Sequence, residues 1–322
     1  MNIFQLLLIK PTSLSIMKKN IFCLAIVLLS FIGKAQPVFD LFQIQYKAMP
    51  VSSVYKGGDE GRPALEYFQT QLNFPLPIGK KNIMVINPQY EYRKIDFEKK
   101  DPAIVELRPF HNLQLQSISM TISDQYTFTD TTIQLILATA WRHYAETGIN
   151  IGNNTMSPAF AVIYGKRTGE RFAWQLGGYY SKEFFGDQWL PLIGFDWHPG
   201  DRFWCWGLLP RYADFDYRIS PFWHTAIAYE GVTDSYRTNE KGWFSILEGQ
   251  LRWANDFYIP HTPLVLTLEA GHSASREFTA WQSASSLEST VHPAEGFIFR
   301  AALTFRFITD KKFITPATVA VK

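Results

Sequence analysis

Charged residues, basic tracts and long apolar runs are all scarce in this chain of 322 residues. Charged residues make up 19% of it, below the usual fraction of about a quarter, and the formal net charge is only +2. Because the sequence has no basic tract, we exclude nucleic-acid binding as a function. The mean hydropathy is close to zero, which excludes a bundle of membrane helices. It does not exclude a membrane barrel, in which only alternate residues face lipid.

Cysteine is nearly absent as well, with two residues in the chain. One lies in a segment typical of a secretory signal peptide. That segment has a basic start at Met17, an apolar run over Ile21–Ile32, and a Gly-Lys-Ala sequence that ends at Ala35. The apolar run is shorter than the roughly 20 residues of a membrane-spanning helix. We predict that residues 1–35 are a signal peptide cleaved after Ala35, with Met17 as the true start and Met1–Ile16 as a mis-called upstream extension. The exported chain then keeps Cys205 as its only thiol, which excludes disulfides and cysteine metal sites.

Aromatic residues, by contrast, are abundant and alternate with polar ones. They make up 16% of the chain, and the sequence GFIFRAALTFRF near the C-terminus has a period of two, which is a strand pattern. Its apolar face consists of Phe297, Phe299, Ala301, Leu303, Phe305 and Phe307. Arg300 and Arg306 lie on the other face. A water-soluble protein would have to cover the apolar stripe with more protein, whereas a bilayer accepts it.

Similar alternation recurs after residue 36, and no helical period of useful length is present. The clearest cases are Thr131–Arg142, Tyr212–Ile219, Phe244–Trp253 and Pro263–His272. We count about fourteen strands of roughly 8–13 residues, close to the length that crosses a bilayer at a tilt. This count requires Phe203–Leu209 and Arg211–Ile219 to be separate strands, and about twelve strands is the alternative.

The links between these strands alternate in length. The long polar links are Met49–Pro63, Arg93–His111, Tyr144–Ser157, Val232–Trp243 and Ser273–Glu295. The short links are Pro75–Lys81, Thr168–Glu170, Pro199–Asp201 and Asn255–His261. Outer-membrane barrels have this asymmetry, with long outside loops and short periplasmic turns. Aromatic residues at strand ends suit the two interfacial girdles; they include Trp141, Trp189, Trp197, Trp253 and Tyr258.

The sequence therefore predicts an all-β fold, a closed antiparallel transmembrane β-barrel of about 14 strands in the bacterial outer membrane. We place the barrel at residues 36–307 and a periplasmic tail at residues 308–322. The alternative is a secreted β-sandwich or propeller, in which a second sheet covers the apolar stripe. That alternative leaves the loop asymmetry and the signal peptide as coincidences.

Several segments resemble a Bacteroidetes family of outer-membrane β-barrels catalogued as a domain of unknown function, number 6268. The sequence DLFQIQYKAMP at Asp40–Pro50 resembles the opening strand of that family, and LPLIGFDWHP at Leu190–Pro199 followed by WGLLP at Trp206–Pro210 resembles its most recognisable block. Phe74–Pro77 and Asn87–Tyr90 fit its second and third strands. The resemblance implies the barrel fold and the location but no activity. The family of gliding-motility and secretion accessory barrels has an Asn-Pro-Ala segment after the first strand that this chain lacks.

Charged residues on the strands are expected to face the lumen, because a charge facing lipid at mid-bilayer costs about 2–4 kcal/mol. The candidates for a lumenal constriction are Arg142, Asp214, Asp216, Arg218, Glu248, Arg252, Glu269 and Arg300. From distances to strand ends we predict that Arg300 bridges Glu269 and comes near Glu248. Either these charges form a constriction that selects solutes by sign, or they form salt bridges that fill the lumen. Paired charges cancel the field that a selective pore needs, which favours the second interpretation.

Signals for enzymatic activity are weak. No metalloprotease, lipase or phosphate-binding motif occurs, and we predict no cofactor, metal or catalytic residue. The sequence His272-Ser273-Ala274-Ser275 lies where a strand meets an outer loop, as in outer-membrane lipid hydrolases. However, neighbouring strand residues point to opposite faces, so His272 and Ser273 are badly placed as a pair. Asp214 and Asp216 share a face with Arg218, which suggests neutralisation rather than catalysis.

Three functions therefore remain open. The first is a passive channel or uptake protein for small solutes or lipophilic molecules, because a barrel of this size can enclose a ligand. The second is a plugged structural or accessory barrel of an envelope complex, and the third is a lipid hydrolase. The expected partners are outer-membrane lipid, the barrel-assembly machinery and a small-molecule solute.

Overall fold

A computed structural model describes the part of the chain that forms the barrel. The described residues are 38–50, 63–79, 81–97, 112–128, 132–239, 242–282, 287–293 and 295–308. The predicted signal peptide and residues 309–322 of the predicted tail lie outside them. Ile308, assigned to the tail from sequence, belongs to the last strand instead.

Sixteen strands run along the described residues, and their bounds are as follows. They are β1 (Val38–Met49), β2 (Pro63–Leu72), β3 (Phe74–Ile78), β4 (Asn82–Phe97), β5 (Leu113–Thr127), β6 (Ile133–Glu146), β7 (Met156–Arg167), β8 (Phe172–Glu183), β9 (Gly186–Trp197), β10 (Phe203–Leu209), β11 (Tyr212–Ser220), β12 (Trp223–Arg237), β13 (Trp243–Tyr258), β14 (Leu264–Gln282), β15 (Leu287–Val291) and β16 (Phe297–Ile308). A single 3-10 turn, Asn153–Thr155, is the only helical segment of the described part. No helix there is long and apolar enough to span a membrane.

The strands close into one antiparallel barrel whose wall has fourteen strand positions. Neighbours in sequence pair with each other, and β1 pairs with β16, which pairs with β14. β2 and β3 both pair with β4 and together occupy one strand position, interrupted at Asn73. β15 pairs only with β14 and lies outside the ring. β10 and β11 are separate strands joined at Pro210 and Arg211, so the count of fourteen is confirmed over the alternative of twelve.

Alternation along each strand divides lipid from lumen, as the sequence predicts. On β13, Leu247, Leu251 and Trp253 are about half exposed on the outer surface, whereas Glu248 and Arg252 are buried inside. The apolar face of β16 likewise points outward, with Phe297 and Phe299 more than half exposed. Lipid solvates the apolar side chains of this outer surface. Closure of the barrel pairs the backbone N–H and C=O groups, which lipid cannot hydrogen-bond. The protein is an outer-membrane β-barrel.

The long links were partly mispredicted, because the strands continue beyond the apolar part of the wall. Most of Val232–Trp243 is strand, since β12 ends at Arg237 and β13 begins at Trp243. Most of Ser273–Glu295 is also strand, formed by β14 and the β14–β15 hairpin. These segments pair with their neighbours although their outer faces are polar, so a search for apolar alternation ends too early. The short turns at residues 168–171 and 198–202 agree with the prediction.

The wall is uneven on one side. β10 and β11 form a short hairpin whose outermost pairings are Leu209 with Ile193 on β9 and Tyr212 with Glu230 on β12. The outer ends of β9 and β12 rise beyond that hairpin. The last residue of β12, Arg237, pairs in parallel with Ala145 of β6, so β12 leans across the outer end of the barrel.

Candidate functional site

The lumen is filled by apolar side chains at its outer end, where the long loops lie. This cluster, the outer core, consists of Met49, Leu65, Tyr67, Ile95, Leu113, Leu115, Tyr144, Tyr236, Phe244, Ile246, Phe278, Ala280 and Ile298. Its members come from nine strands and are at most 3% exposed. The crossing of β12 to β6 draws those strands into a narrower ring, which lets their side chains meet. A water-filled bore would expose these faces, so the outer end is closed.

Below the outer core, charged side chains form a continuous ladder along β13. Arg276 donates to Glu248 at 2.9 Å, and the Gln250 amide donates to Glu248 at 2.8 Å. Arg252 Nη1 donates to the Gln250 carbonyl oxygen at 2.7 Å. Arg252 Nε then reaches Glu269 at 2.6 Å, and Arg300 reaches the other oxygen of Glu269 at 2.5 Å. We call Arg276, Glu248, Gln250, Arg252, Glu269 and Arg300 the charged ladder.

A second set of contacts joins opposite walls. Arg93 of β4 reaches Asp234 of β12 at 2.5 Å and Glu91 at 3.3 Å. The guanidinium of Arg93 also lies between two rings, with its Cζ 4.9 Å from the Tyr67 centroid and 5.7 Å from the Tyr236 centroid. Because β4 and β12 stand on opposite sides of the ring, this ion pair spans the lumen. The bore is therefore closed at this depth as well.

A buried clamp holds the outer end of β12 against β8. Arg142 of β6 donates to Glu183 at 2.7 Å and to the Ser157 hydroxyl at 2.6 Å. Ser235 of β12 donates to the second oxygen of Glu183 at 2.7 Å and accepts a bond from the backbone N–H of Phe184 at 3.0 Å. Arg142 and Glu183 are almost completely buried, so the clamp depends on each charge having its partner.

The periplasmic mouth differs from the outer end in being polar and partly exposed. Arg306 donates to Asp40 at 2.6 Å, to Asp256 at 3.0 Å and to the Tyr258 hydroxyl at 3.0 Å. The Asp40 and Asp256 side chains are 30% and 20% exposed. His224 lies 3.3 Å from Asp216 in the same region. The side chains of the periplasmic mouth are therefore partly exposed, whereas those of the outer core are buried.

The predicted lumenal residues all face inward, but their grouping differs from the prediction. The bridge from Arg300 to Glu269 is confirmed, and the two residues are direct register partners. The predicted approach of Arg300 to Glu248 is wrong, because Glu269, the register partner of Arg300, pairs with Ala254, roughly 20 Å along β13 from Glu248 at the rise of a strand. Distances to strand ends mislead because the hydrogen-bond register, not the strand length, sets relative depth.

The predicted neutralisation of Asp214 and Asp216 by Arg218 is also wrong. The Nδ1 of His224 lies 3.3 Å from the Asp216 carboxylate instead, and Arg218 lies with its Cζ 5.5 Å from the Trp204 centroid. Residues two apart on one strand are about 7 Å from each other, whereas neighbouring strands are about 4.8 Å apart. A side chain on the adjacent strand is therefore nearer than one two residues along the same strand. Arg142 is separate from the ladder, in the clamp on the other side of the lumen.

Several inward charges were missed from sequence. They are Lys47, Glu91, Arg93, Glu183, Arg211, Glu230, Asp234 and Arg276. The alternation that could have found some of them is visible in Gln43, Gln45 and Lys47 of β1, and in Gln89, Glu91 and Arg93 of β4. Arg276 and Asp234 lie in segments assigned to loops, so no strand face could be assigned to them from sequence.

The His272–Ser273 segment does not form a catalytic pair. Ser273 is buried in the lumen and donates to Glu248 at 2.6 Å, whereas His272 lies on the outer face against the Phe297 ring. No cluster of three or more metal-binding side chains occurs among the described residues.

Comparison with known proteins finds likeness in three-dimensional structure only. No protein-family model matches the chain, and no curated protein matches it. The COG4313 outer membrane channel of Pseudomonas putida F1 is 10% identical, with 85% of this chain and 97% of that chain covered and a TM-score of 0.49.

Two further structures are more distant. The TodX monoaromatic hydrocarbon channel is 8% identical, with 85% of this chain and 91% of that chain covered and a TM-score of 0.37. Outer membrane phospholipase A of Escherichia coli is 8% identical, with 83% and 92% covered and a TM-score of 0.35. Such distant likenesses assign no activity to this chain.

Proposed function

We propose that this barrel is an uptake protein for small solutes or lipophilic molecules, with its outer end closed in the resting state. The contrast between the two ends of the lumen carries this proposal. Apolar side chains seal the outer end, while charged residues line the middle and the periplasmic mouth. Ionisable residues within a membrane span are costly and mark functional sites by default. A lumen that only had to be filled could hold apolar residues at no loss of stability.

The gate in this proposal is the outer end of β12. It is held by the Ser235–Glu183 bond, by the Phe184 N–H bond to Ser235, and by the bond from Arg237 Nε to the Asn154 carbonyl at 2.8 Å. These bonds join β12 to segments that are not its neighbours in the barrel, and they act beside the Arg93–Asp234 bridge and the packing of Tyr236 in the outer core. Their loss would weaken the attachment of β12 to β6 and β8 while the pairing of β12 with β13 remains.

Planar-bilayer conductance of the refolded protein tests the proposal. The wild type is expected to be closed for most of the recording, and a Ser235→Ala, Arg237→Ala variant is expected to open more often. Arg171→Ala is the matched control, because Arg171 caps a periplasmic turn through the Pro199 carbonyl. In the open state, Arg300→Ala should change ion selectivity, since it frees one side of Glu269. A folded double variant as silent as the wild type would contradict the gate.

The second candidate is a plugged accessory barrel that acts through its outer surface. The cross-lumen Arg93–Asp234 ion pair favours it, because a permanent bridge between opposite walls leaves no path for a solute. Silence of both the wild type and the gate variant would favour this candidate over uptake.

A further inference from the structure

The short β10–β11 hairpin leaves a notch in the barrel wall. Gly186–Leu192 of β9 have no strand partner on the β10 side, and Val232–Tyr236 of β12 have none on the β11 side, within the continuously described residues 132–239. The turn Leu209–Arg211 forms the base of the notch. The contact of Phe184 with Ser235 forms its top.

The dimensions of the notch follow from strand geometry. At its base β9 and β12 are three strand spacings apart, which is about 14 Å, and the edges converge on the Phe184–Ser235 contact. The β12 edge lies directly on the hairpin tip, where the Gly231 N–H donates to the Arg211 carbonyl at 2.7 Å. A Cβ at Gly231 would come within 2.7 Å of the Pro210 carbonyl oxygen, so the base is tightly packed.

The notch lies at the level of an aromatic belt on the outer surface. Trp189 on the β9 edge is 67% exposed, and its ring packs 4.6 Å from Tyr180 and 6.1 Å from Phe160 between centroids. Aromatic belts mark the membrane interface. Unpaired backbone groups facing lipid are costly, and Pro191 in this edge removes one donor, as proline does in edge strands. The notch thus opens sideways at the interface of the bilayer.

The inner side of the notch is apolar. Leu190 and Tyr212 pack on a cluster that includes Tyr179, Leu192 and Leu208. The guanidinium Cζ of Arg211, from the notch base, lies 4.8 Å from the Tyr179 centroid. An apolar tail entering through the notch would therefore meet apolar side chains and one cation.

Behind the notch lies a cavity of about 20 Å³. It is lined by Lys47, Tyr67, Glu91, Arg93, Arg211, Glu230, Gly231, Val232, Thr233 and Asp234. Such a volume holds one water-sized group. Residues Gly231–Thr233 belong both to this cavity and to the notch edge, so the two spaces adjoin.

The cavity holds one ammonium without a carboxylate at ion-pair distance and one guanidinium N–H without an acceptor. Each of its carboxylates has an arginine within ion-pair distance, Glu91 and Asp234 through Arg93 and Glu230 through Arg252. Lys47 is 7% exposed, and no carboxylate among the described residues lies within 4.0 Å of its ammonium. Its contacts are the Gln250 carbonyl oxygen at 3.3 Å and the Tyr67 ring at 4.7 Å. Arg93 Nε is also buried without an acceptor in the described structure.

We propose that the notch and cavity bind a single-chain anionic amphiphile, with its acidic headgroup at Lys47 and its apolar tail in the notch. A buried, unpaired ammonium is unfavourable, and a carboxylate oxygen in the cavity would supply the missing partner. The small cavity favours one compact headgroup over a bulky phosphodiester. This inference deepens the proposed uptake function by naming a substrate class and a sideways route of entry, and it rests on that function only for the transport step.

Isothermal titration calorimetry of the refolded full chain in a neutral maltoside detergent tests the binding step. Decanoate is expected to bind about tenfold more tightly than decanol, the size of a charge-assisted hydrogen bond. Affinity should rise about fourfold per methylene from hexanoate to decanoate if the tail is buried. Equal binding of decanol and decanoate would overturn headgroup recognition, and equal binding of acetate and decanoate would overturn the role of the notch.

Variants separate the headgroup site from non-specific binding. Lys47→Met should lower the affinity for decanoate about tenfold, while Lys166→Met, which removes an exposed lysine near the periplasmic end of β7, should leave it unchanged. If Lys47→Met does not fold, Arg211→Gln replaces it as the test variant, and it should also lower the affinity for decanoate. Unchanged affinity in the folded Lys47 variant, or in the folded Arg211 variant where it is the substitute, overturns the site.

Two further measurements are needed. The first identifies the source of the ligand, and the second separates the binding proposal from the uptake proposal. Tighter binding of phosphatidylglycerol than of decanoate would overturn the single-chain ligand and identify a membrane lipid instead. Uptake of radiolabelled decanoate into cells that carry the protein then tests transport. Binding without uptake keeps the site and contradicts the uptake function, whereas uptake that survives Lys47→Met contradicts the site alone.

Discussion

At the scale of single residues, the barrel depends on buried charges that each need a specific partner. Arg142 is the clearest case, because it is 1% exposed and satisfies Glu183, the Ser157 hydroxyl and the Ser157 carbonyl together. Removing one member of a buried pair leaves the other charge uncompensated. Replacing both with apolar or neutral groups of similar size costs far less.

Arg142→Met is therefore expected to lower the free energy of unfolding by about 3–5 kcal/mol, because it leaves the Glu183 carboxylate buried without its cation. Urea unfolding of the protein in lipid vesicles measures the change. Adding Glu183→Gln to the same chain should recover part of the loss.

The matched control is Arg218→Met. Arg218 contacts the Trp204 ring near the periplasmic mouth, and loss of such a cation–π contact costs only about 0.5–1 kcal/mol. Equal losses for the two single variants would contradict the partner-dependent account of Arg142.

At the scale of strands, the outer face of each strand contacts lipid and the inner face contacts the lumen. On β14 the outer face runs through Leu264, Leu266, Leu268 and Ala270 to His272, while Thr267 and Glu269 face inward. Leu268 lies midway along the apolar part of that face. The environment of a substituted side chain therefore depends on two things. One is whether the residue faces lipid or the lumen, and the other is its distance from the middle of the bilayer.

Leu268→Arg is expected to destabilise the folded barrel by about 2–4 kcal/mol, because it places a charge on the lipid face near the middle of the bilayer. His272→Arg, at the outer end of the same face, should cost about 0–1 kcal/mol. Folding titrations of both variants in vesicles measure the difference. A cost at His272 as large as at Leu268 would contradict the assigned depth of this face.

At the scale of the whole molecule, the barrel is asymmetric along its axis. The outer core is sealed by side chains from nine strands, and the periplasmic mouth remains partly exposed. The lean of β12 onto β6 produces this asymmetry, because it narrows the ring at one end only.

Thiol labelling of the folded barrel checks this asymmetry. In a Cys205→Ser background, Ile246→Cys in the outer core should resist a membrane-impermeant maleimide, since Ile246 is 1% exposed. Asp256→Cys at the periplasmic mouth should react. Both should react in urea, which controls for intrinsic reactivity. Rapid labelling of the Ile246 variant in the folded barrel would show that the outer end is open.

The sequence by itself determined the fold class, the strand count, the lipid face of β13, β14 and β16, and the inward placement of the eight candidate charges. It could do so because lipid and lumen impose opposite preferences on alternate residues, and that period is local. The bridge from Arg300 to Glu269 was predicted from distances to the strand ends, and it forms because the two residues are register partners.

Only the tertiary structure decided which of the other charges pair, how deep they lie and where the wall is incomplete. Glu248 pairs with Arg276 because the two are register partners, and Asp216 lies 3.3 Å from His224, the register partner of Arg218. The Arg93–Asp234 bridge and the outer core depend on the crossing of β12 to β6. Register and strand crossing are relations between distant segments, so no local period in the sequence records them.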